Sequence, residues 1–407
     1  MNFFGRHRFL ALGGIGVVTA LGAGVAFIGT ADASVQQARA QGVIRQAGTP
    51  DAVRNSYIVV LKDSAMSASS VDTKVKGLSG RHGGAVKQTY DTVIKGFELS
   101  ASEQTARQYA KDPQVAYVEA NQAVHAFDTQ NNPPSFGLDR VDQRNLPVDR
   151  KYTFPSTAAN VTAFIIDTGI QLNHKEFAGR ASVGTDTVGD GRQGQDCNGH
   201  GTHVAGTVGG TTFGLAKQVK LVAVRVLDCQ GGGTNAGVIK GVDFVTKNAK
   251  GPSVANMSLG GGASQALDAA VQRAINAGVT FALAAGNENQ NACNTSPART
   301  PAAITVGATD QQDGRASFSN FGTCVDIFAP GVNIKSSFLS NGTNGTATLS
   351  GTSMASPHVC GAAALVLARN PGFTPKQVRD ALVNDATPGK VRNPGTGSPN
   401  KLLFVKN

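Results

Sequence analysis

A serine hydroxyl is a weak nucleophile at neutral pH, so a chain that uses one must also supply a base for its proton and an acid to hold that base. Asp167, His200 and Ser353 have the types and settings for that chemistry. Asp167 ends the apolar run Val161–Ile166 and stands before Thr168–Gly169, where a strand must break. His200 opens His200–Gly201–Thr202–His203. Ser353 lies in Gly351–Thr352–Ser353–Met354–Ala355, ahead of the uncharged run Val359–Ala368, which is rich in helix formers. Pro357 is expected in the first turn of that helix, where its missing N–H is no loss. Ser353 then sits where unpaired N–H groups and the positive end of a helix converge. Negative charge developing on a carbonyl oxygen is stabilised there.

Each residue also has a plainer reading. Asp before Thr-Gly can cap a turn, and a serine at a helix start can be an N-cap. Cys197, His200 and His203 could be grouped as metal ligands, but a thermolysin-type site needs histidines four apart with Glu beside the first. Gly201, Gly206 and Gly209 point instead to a helix packed closely on another element. An esterase of the α/β-hydrolase kind is disfavoured, because Asp and His precede Ser and the Gly-x-Ser-x-Gly elbow is missing.

The segments between these residues alternate. Near-continuous apolar runs at Val161–Ile166, Leu221–Val226, Ser253–Met257, Val279–Ala284 and Ala302–Val306 read as strands buried on both faces. Helices fit at His200–Gly209, Asn235–Lys250, Gln265–Ala277 and Thr374–Asn384. The fold class is α/β, a mainly parallel sheet with helices on both faces. Such a sheet gathers reactive side chains at the carboxyl ends of its strands. Leu402–Val405 is expected to close the domain as a short strand.

The amino-terminal third reads differently. Arg6, His7 and Arg8 precede a long apolar and small-residue run that ends at Ala31–Asp32–Ala33, the pattern of a cleaved export signal over residues 1–33. A small α+β unit of order βαββαβ follows from about Asn55 to Asn121. Its marginal core and its place between export signal and hydrolase-like body suit a propeptide over residues 34–127. The polar stretch His125–Pro133 offers a processing site, with the mature domain spanning 128–407. The net charge of +10 is scattered with few interleaved aromatics, which argues against a nucleic-acid stripe. No segment after the signal is expected to anchor the chain in a membrane. Five cysteines fit an oxidising compartment, and spacing alone leaves about fifteen ways to form two bridges and one free thiol.

Asp167–Thr168–Gly169, His200–Gly201–Thr202–His203, Ala285–Gly286–Asn287 and Gly351–Thr352–Ser353–Met354–Ala355, in this order, resemble the four signature segments of the subtilisin-like serine peptidases (subtilases). Phe136–Arg144 and the cysteine positions are similar to the proteinase K branch and its aqualysin-type members. The resemblance implies a secreted serine endopeptidase with Ser353 as nucleophile, His200 as base and Asp167 as its orienting acid. It implies that Asn287, together with the Ser353 N–H, holds the oxyanion; as a bare residue, Asn after glycine is also a left-handed turn former. It implies that Ser258–Leu259–Gly260 and Gly231–Gly232 pair with an extended peptide, and that the primary pocket lies between Ser258–Gly260 and Ala284–Ala285–Gly286. Its walls are expected to carry no charge and to favour apolar or aromatic residues before the scissile bond. The pairs Cys197–Cys229 and Cys293–Cys324 are implied, leaving Cys360 free. So is a structural calcium ion on Asp326 and the carbonyls of Pro301 and Ala303, with a second, weaker site at Asp139 and Asp142. No catalytic cofactor is expected. The partners are protein and peptide substrates and the chain's own propeptide, as folding assistant and temporary inhibitor. The enzyme is expected to be a monomer. The alternative within this fold is an inactive peptide-binding protein, for which the intact signature residues leave little room.

Overall fold

A computed structural model describes residues 42–48, 52–62, 68–122 and 128–406. The expected export signal and residues 125–127 of the processing stretch lie outside the described residues. The described residues up to Asn121 form one compact unit and those from Gln122 onward form another. Among the described residues no helix is long and apolar enough to cross a membrane.

The first unit is a five-stranded sheet with two helices. Its elements are β1 (Ile44–Arg45), β2 (Ala52–Leu61), α1 (Ala68–His82), β3 (Ala85–Tyr90), β4 (Gly96–Ser100), α2 (Glu103–Lys111) and β5 (Val115–Gln122), with strand order β1-β5-β2-β4-β3. Ser102 caps α2 by accepting the Thr105 N–H, and Asp112 ends it. Val59, Leu61, Val71, Leu78, Phe97, Leu99 and Tyr109 make the core. The stretch Val93–Leu99 reads as a strand by its apolar residues, but the strand itself starts only at Gly96. Tyr90 pairs with Gly96, so residues between them form the hairpin loop and Val93 is 92% exposed.

The second unit is built on a nine-stranded sheet. After the hairpin β6 (Asp128–Asn131) and β7 (Lys151–Phe154), with the short helix α3 (Phe136–Arg140) between them, come β8 (Thr162–Asp167), β9 (Ala181–Asp186), α4 (His200–Gly209), β10 (Lys220–Arg225), α5 (Asn235–Asn248) and β11 (Ser253–Met257). Then follow β12 (Gly261–Gly262), α6 (Gln265–Asn276), β13 (Thr280–Ala284), β14 (Thr295–Ser296), β15 (Ile304–Thr309), β16 (Ile327–Pro330), β17 (Ile334–Ser337) and β18 (Thr346–Leu349). The chain ends through α7 (Thr352–Arg369), α8 (Pro375–Asp385), β19 (Thr387–Pro388) and β20 (Lys401–Leu402). The sheet order is β19-β20-β16-β15-β13-β11-β8-β10-β9, all parallel except the β19–β20 pair. β8 lies inside the sheet, paired to β10 (Arg225 opposite Asp167) and to β11 (Met257 opposite Ile166).

Alternate residues of β8 enter two separate cores. Ala163 and Ile165 join a cluster with α4, α7 and α8, while Phe164 and Ile166 join one with α5 and α6. Both faces are therefore covered, which is why the strand reads as a continuous apolar run. α7 packs against α4 and against β11, β13, β15 and β16. Its apolar composition on every side follows from that central position. The expected terminal strand shortens to Lys401–Leu402: Leu403 and Val405 remain buried, but their N–H groups go to the carbonyls of Phe328 and Val141.

Candidate active site

The carboxyl end of β8 delivers Asp167 with no exposed side-chain surface. Its Oδ1 accepts the Thr168 N–H at 2.8 Å and faces His200 Nδ1 at 2.8 Å. A carboxylate can only accept here, so Nδ1 carries the proton and Nε2 is left basic. Asp167 Oδ2 is buried without a hydrogen bond, so the imidazole is the carboxylate's main polar partner besides the Thr168 N–H. Burial pulls the His200 pKa down, but the charge and hydrogen bond of Asp167, with the charge of Asp196, outweigh it and leave it above the ordinary value.

Glycines set the entry of α4. Gly199 adopts φ +103°, and a Cβ there would meet the Phe338 ring at 2.4 Å. A Cβ on Gly201 would lie 2.2 Å from the Gly169 carbonyl oxygen. Only without these atoms can the first turn, and His200 with it, lie against the end of β8. His203, on the same helix, is fully buried with Nε2 beside the Ile334 carbonyl, and burial pulls its pKa down to about 4. It is a packing residue, and among the described residues no metal-binding group includes it.

α7 begins at Thr352, so Ser353 is its second residue and Pro357 falls inside the helix rather than in the first turn. The expectation for the proline is thus corrected, and the difference has a chemical consequence. Pro357 has no N–H for the Ser353 carbonyl, and that carbonyl accepts the Ser258 hydroxyl at 2.7 Å instead. The Ser353 hydroxyl donates back to the Ser258 carbonyl at 3.1 Å. Asn256 donates to Ser258 Oγ and accepts from Ser356 Oγ, both at 2.8 Å, which pins the turn after β11 to the start of α7.

Asn287 follows β13 and its Oδ1 accepts both the N–H and the hydroxyl of Thr352, at 2.8 and 2.9 Å. Since both partners donate, the oxygen is identified and the amide Nδ2 is turned the other way, free to donate. Two grooves meet at this place. One, of about 520 Å³, is lined by His200, Gly231, Gly232, Ser258, Leu259 and Gly260. The other, of about 460 Å³, shares Leu259 and Gly260 and adds Ala284, Gly286, Asn287 and Ser353. Ala285 is fully buried and lines neither groove; its carbonyl accepts from Asn320. The second groove also carries Glu288, whose Oε2 accepts from Asn320 at 2.9 Å. The expectation of uncharged walls is corrected by that one carboxylate.

Cys197 is bonded to Cys229 and Cys293 to Cys324, and Cys360 is free and buried. Burial pushes the Cys360 thiol up, away from the reactive thiolate. The first bridge ties the loop before His200 to the loop of Gly231 and Gly232. Each bridge closes a loop of about 30 residues, worth about 3–4 kcal/mol in the loop-entropy model. Asp326 is held by Arg379, whose Nε and Nη2 both donate to Oδ1, while Oδ2 accepts the Thr305 N–H at 2.8 Å. Among the described residues no three His, Cys, Asp or Glu side chains form a metal-binding group. Asp142 is different. Among the described residues its buried Oδ1 has no partner, and burial with the nearby Asp149 and Asp139 charges raises its carboxyl to about 7, against the Thr153 N–H it accepts.

A parallel α/β sheet that brings a buried Asp and the His it holds to one strand end, and a helix-start serine and an amide to the adjoining groove, defines a hydrolytic enzyme of the serine type. The chain belongs to the subtilase family. The family model described as Peptidase S8, subtilase family, matches residues 159–401, and one described as peptidase inhibitor I9 matches residues 56–127. It is 51% identical over 373 residues to an extracellular serine proteinase of Thermus sp. (strain Rt41A), covering 88% of this chain and 90% of that one. It is 48% identical to the alkaline serine exoprotease A of Vibrio alginolyticus, covering 87% of this chain and 68% of the relative. Among solved structures, a cold adapted subtilisin-like serine proteinase is 57% identical with a TM-score of 0.65, over 67% of this chain and 98% of that one.

Proposed function

We propose that this chain is a secreted serine endopeptidase, made as a precursor and active as a monomer. Residues 1–33 direct export, residues 34–127 are a propeptide that helps the enzyme fold and blocks its cleft, and residues 128–407 are the mature domain. Ser353 attacks the scissile carbonyl while His200 Nε2 takes its proton; Asp167 holds the imidazole and stabilises its charged form. Asn287 Nδ2 and the Ser353 N–H receive the oxyanion. His200 then returns the proton to the leaving amine, and water repeats the sequence on the acyl-enzyme. The chemistry is carried by these side chains, and no catalytic cofactor is invoked. The observation that carries this reading is the 2.8 Å contact between His200 Nδ1 and the buried Asp167 carboxylate.

An extended peptide pairs with the edges at Ser258–Gly260 and Gly231–Gly232, where main-chain hydrogen bonds give affinity without dictating much sequence. Leu259, Ala284 and Gly286 favour an apolar or aromatic residue before the scissile bond. Incubation with unfolded casein and a serine-directed phosphonate tests the class. Cleavage should stop as Ser353 is labelled, and cleavage that persists after full labelling would remove Ser353 from its role.

A structural calcium ion is part of the proposal. Asp326 fits it poorly as it stands, because the Arg379 guanidinium already supplies the positive charge, so an ion on Asp326, Pro301 and Ala303 must compete with that pair. Of the second pair, Asp142 fits better: desolvation raises its carboxyl to about 7 and its unpartnered oxygen suits a hard cation, while Asp139 Oδ1 already accepts from Gln143 and the Arg150 N–H. Chelation should therefore speed thermal inactivation severalfold while leaving the initial rate nearly unchanged. Unaltered inactivation kinetics after verified metal removal would dismiss the ion.

A further inference from the structure

The first four N–H groups of a helix have no helical acceptor. In α4 they belong to Gly199, His200, Gly201 and Thr202, and the N-cap Gly199 has no side chain to help. The Gly199 and Thr202 N–H groups donate to Asp196 Oδ1 and Oδ2, each at 2.9 Å. The Gly201 N–H goes to Thr168 Oγ1 at 2.9 Å, and that hydroxyl donates in turn to Asp196 Oδ1 at 2.9 Å. The His200 N–H goes to Asn198 Oδ1 at 3.2 Å, and Asn198 is itself held by its N–H on Asp196 Oδ1 at 2.9 Å. The Thr202 hydroxyl completes the set at 2.6 Å from Oδ2. Asp196 is 9% exposed, and both of its oxygens face only donors.

We propose that Asp196 is a positioning residue: its carboxylate fixes the first turn of α4, and His200 with it, against the strand end that carries Asp167. The proposal rests on the reading of His200 as the base. Helix capping alone would need one acceptor; here a single carboxylate joins the helix to Thr168, the residue next to Asp167. An amide in its place would turn an N–H₂ toward donors on one side or the other. The charged and titratable groups around His200 are Asp167 from β8, Asp196 from the loop before α4 and His203 on α4 itself. Asp196 therefore also adds negative charge that favours the protonated imidazole.

The test compares the parent enzyme with Asp196→Asn, Thr202→Val and Ser353→Ala on a peptide anilide across the pH range. Displacing a reacting group by about 1 Å can cost about 100-fold, so Asp196→Asn should lower kcat by at least about 30-fold with KM within about twofold. Its acid limb in kcat/KM should move to lower pH, because a negative charge near His200 is gone. Thr202→Val removes one donor to Asp196, together with the acceptor of the Gln171 N–H, and keeps the charge; kcat should fall about threefold with the acid limb unmoved. An Asp196→Asn enzyme with parental kcat, or with a reduced kcat and an unmoved acid limb, would overturn the proposal. If Asp196→Asn does not accumulate as folded protein, Thr202→Val decides: an unchanged kcat rejects the positioning role. Activity persisting in Ser353→Ala would overturn the reading of the site, and the Asp196 proposal with it.

Discussion

Ser353→Ala is expected to lower kcat by about 10⁶-fold, the scale found when the nucleophile of subtilisin itself is removed. Among the described residues neither Cys360 nor Ser258 can replace the hydroxyl. Cys360 is buried with its thiol pKa raised, and the Ser258 hydroxyl is committed to the Ser353 carbonyl. The substitution should leave the fold intact, since the lost hydroxyl donates only one bond, to the Ser258 carbonyl at 3.1 Å. A surface-accessible hydrogen bond of this kind is worth about 1 kcal/mol. The variant should also accumulate as an uncleaved precursor if the chain processes itself. The checks are single-turnover kinetics on a peptide anilide, circular dichroism and the mass of the secreted product. Activity within about 100-fold of the parent would end the assignment of Ser353.

Asn287→Leu is the second large effect. Removing one oxyanion donor costs about 10²–10³ in kcat, or about 2.7–4 kcal/mol, a figure that comes from the corresponding subtilisin residue. KM should hardly change, because the amide meets a full negative charge only in the transition state. Leucine also strips Thr352 of its acceptor, leaving a buried N–H and hydroxyl to find others at a cost of about 1–3 kcal/mol in stability. Asn287→Asp separates the two effects. It keeps an acceptor for Thr352 but offers no N–H to the oxyanion, so kcat should fall at least as far while the melting temperature stays near that of the parent. A leucine variant whose kcat stays within about threefold of the parent would remove Asn287 from the oxyanion site.

The triad candidates were legible because each stands in a short local pattern: Asp167 at the end of an apolar strand, His200 at a glycine-rich helix start, Ser353 before an apolar helix. The same runs located β8, β10, β11, β13 and α4 to within a residue or two. What sequence could not give depends on contacts between distant segments. Asn287 looks like a turn residue until Thr352 orients its amide. Asp326 reads as a calcium ligand because its partner, Arg379, lies far along the chain, in α8. Glu288 carries no pattern of its own, and its direct adjacency to Asn287 is the signal that places it in the same pocket. Pro357 falls beyond the first turn because Thr352 already belongs to α7, and composition does not fix a helix start to one residue. Asp196 was visible within the His200 segment, but nothing in a linear pattern tells how many donors a carboxylate will collect.

The central position of α7 bears on when the molecule becomes dangerous to its maker. Synthesis delivers the acid and the imidazole first and the hydroxyl well after them, on a helix that rests on five strands. A half-made or misassembled chain therefore has no working cutting edge, because the last piece cannot dock until the platform beneath it exists. Parallel platforms joined by crossovers assemble slowly. That slowness gives the cell an interval in which the chain is still harmless.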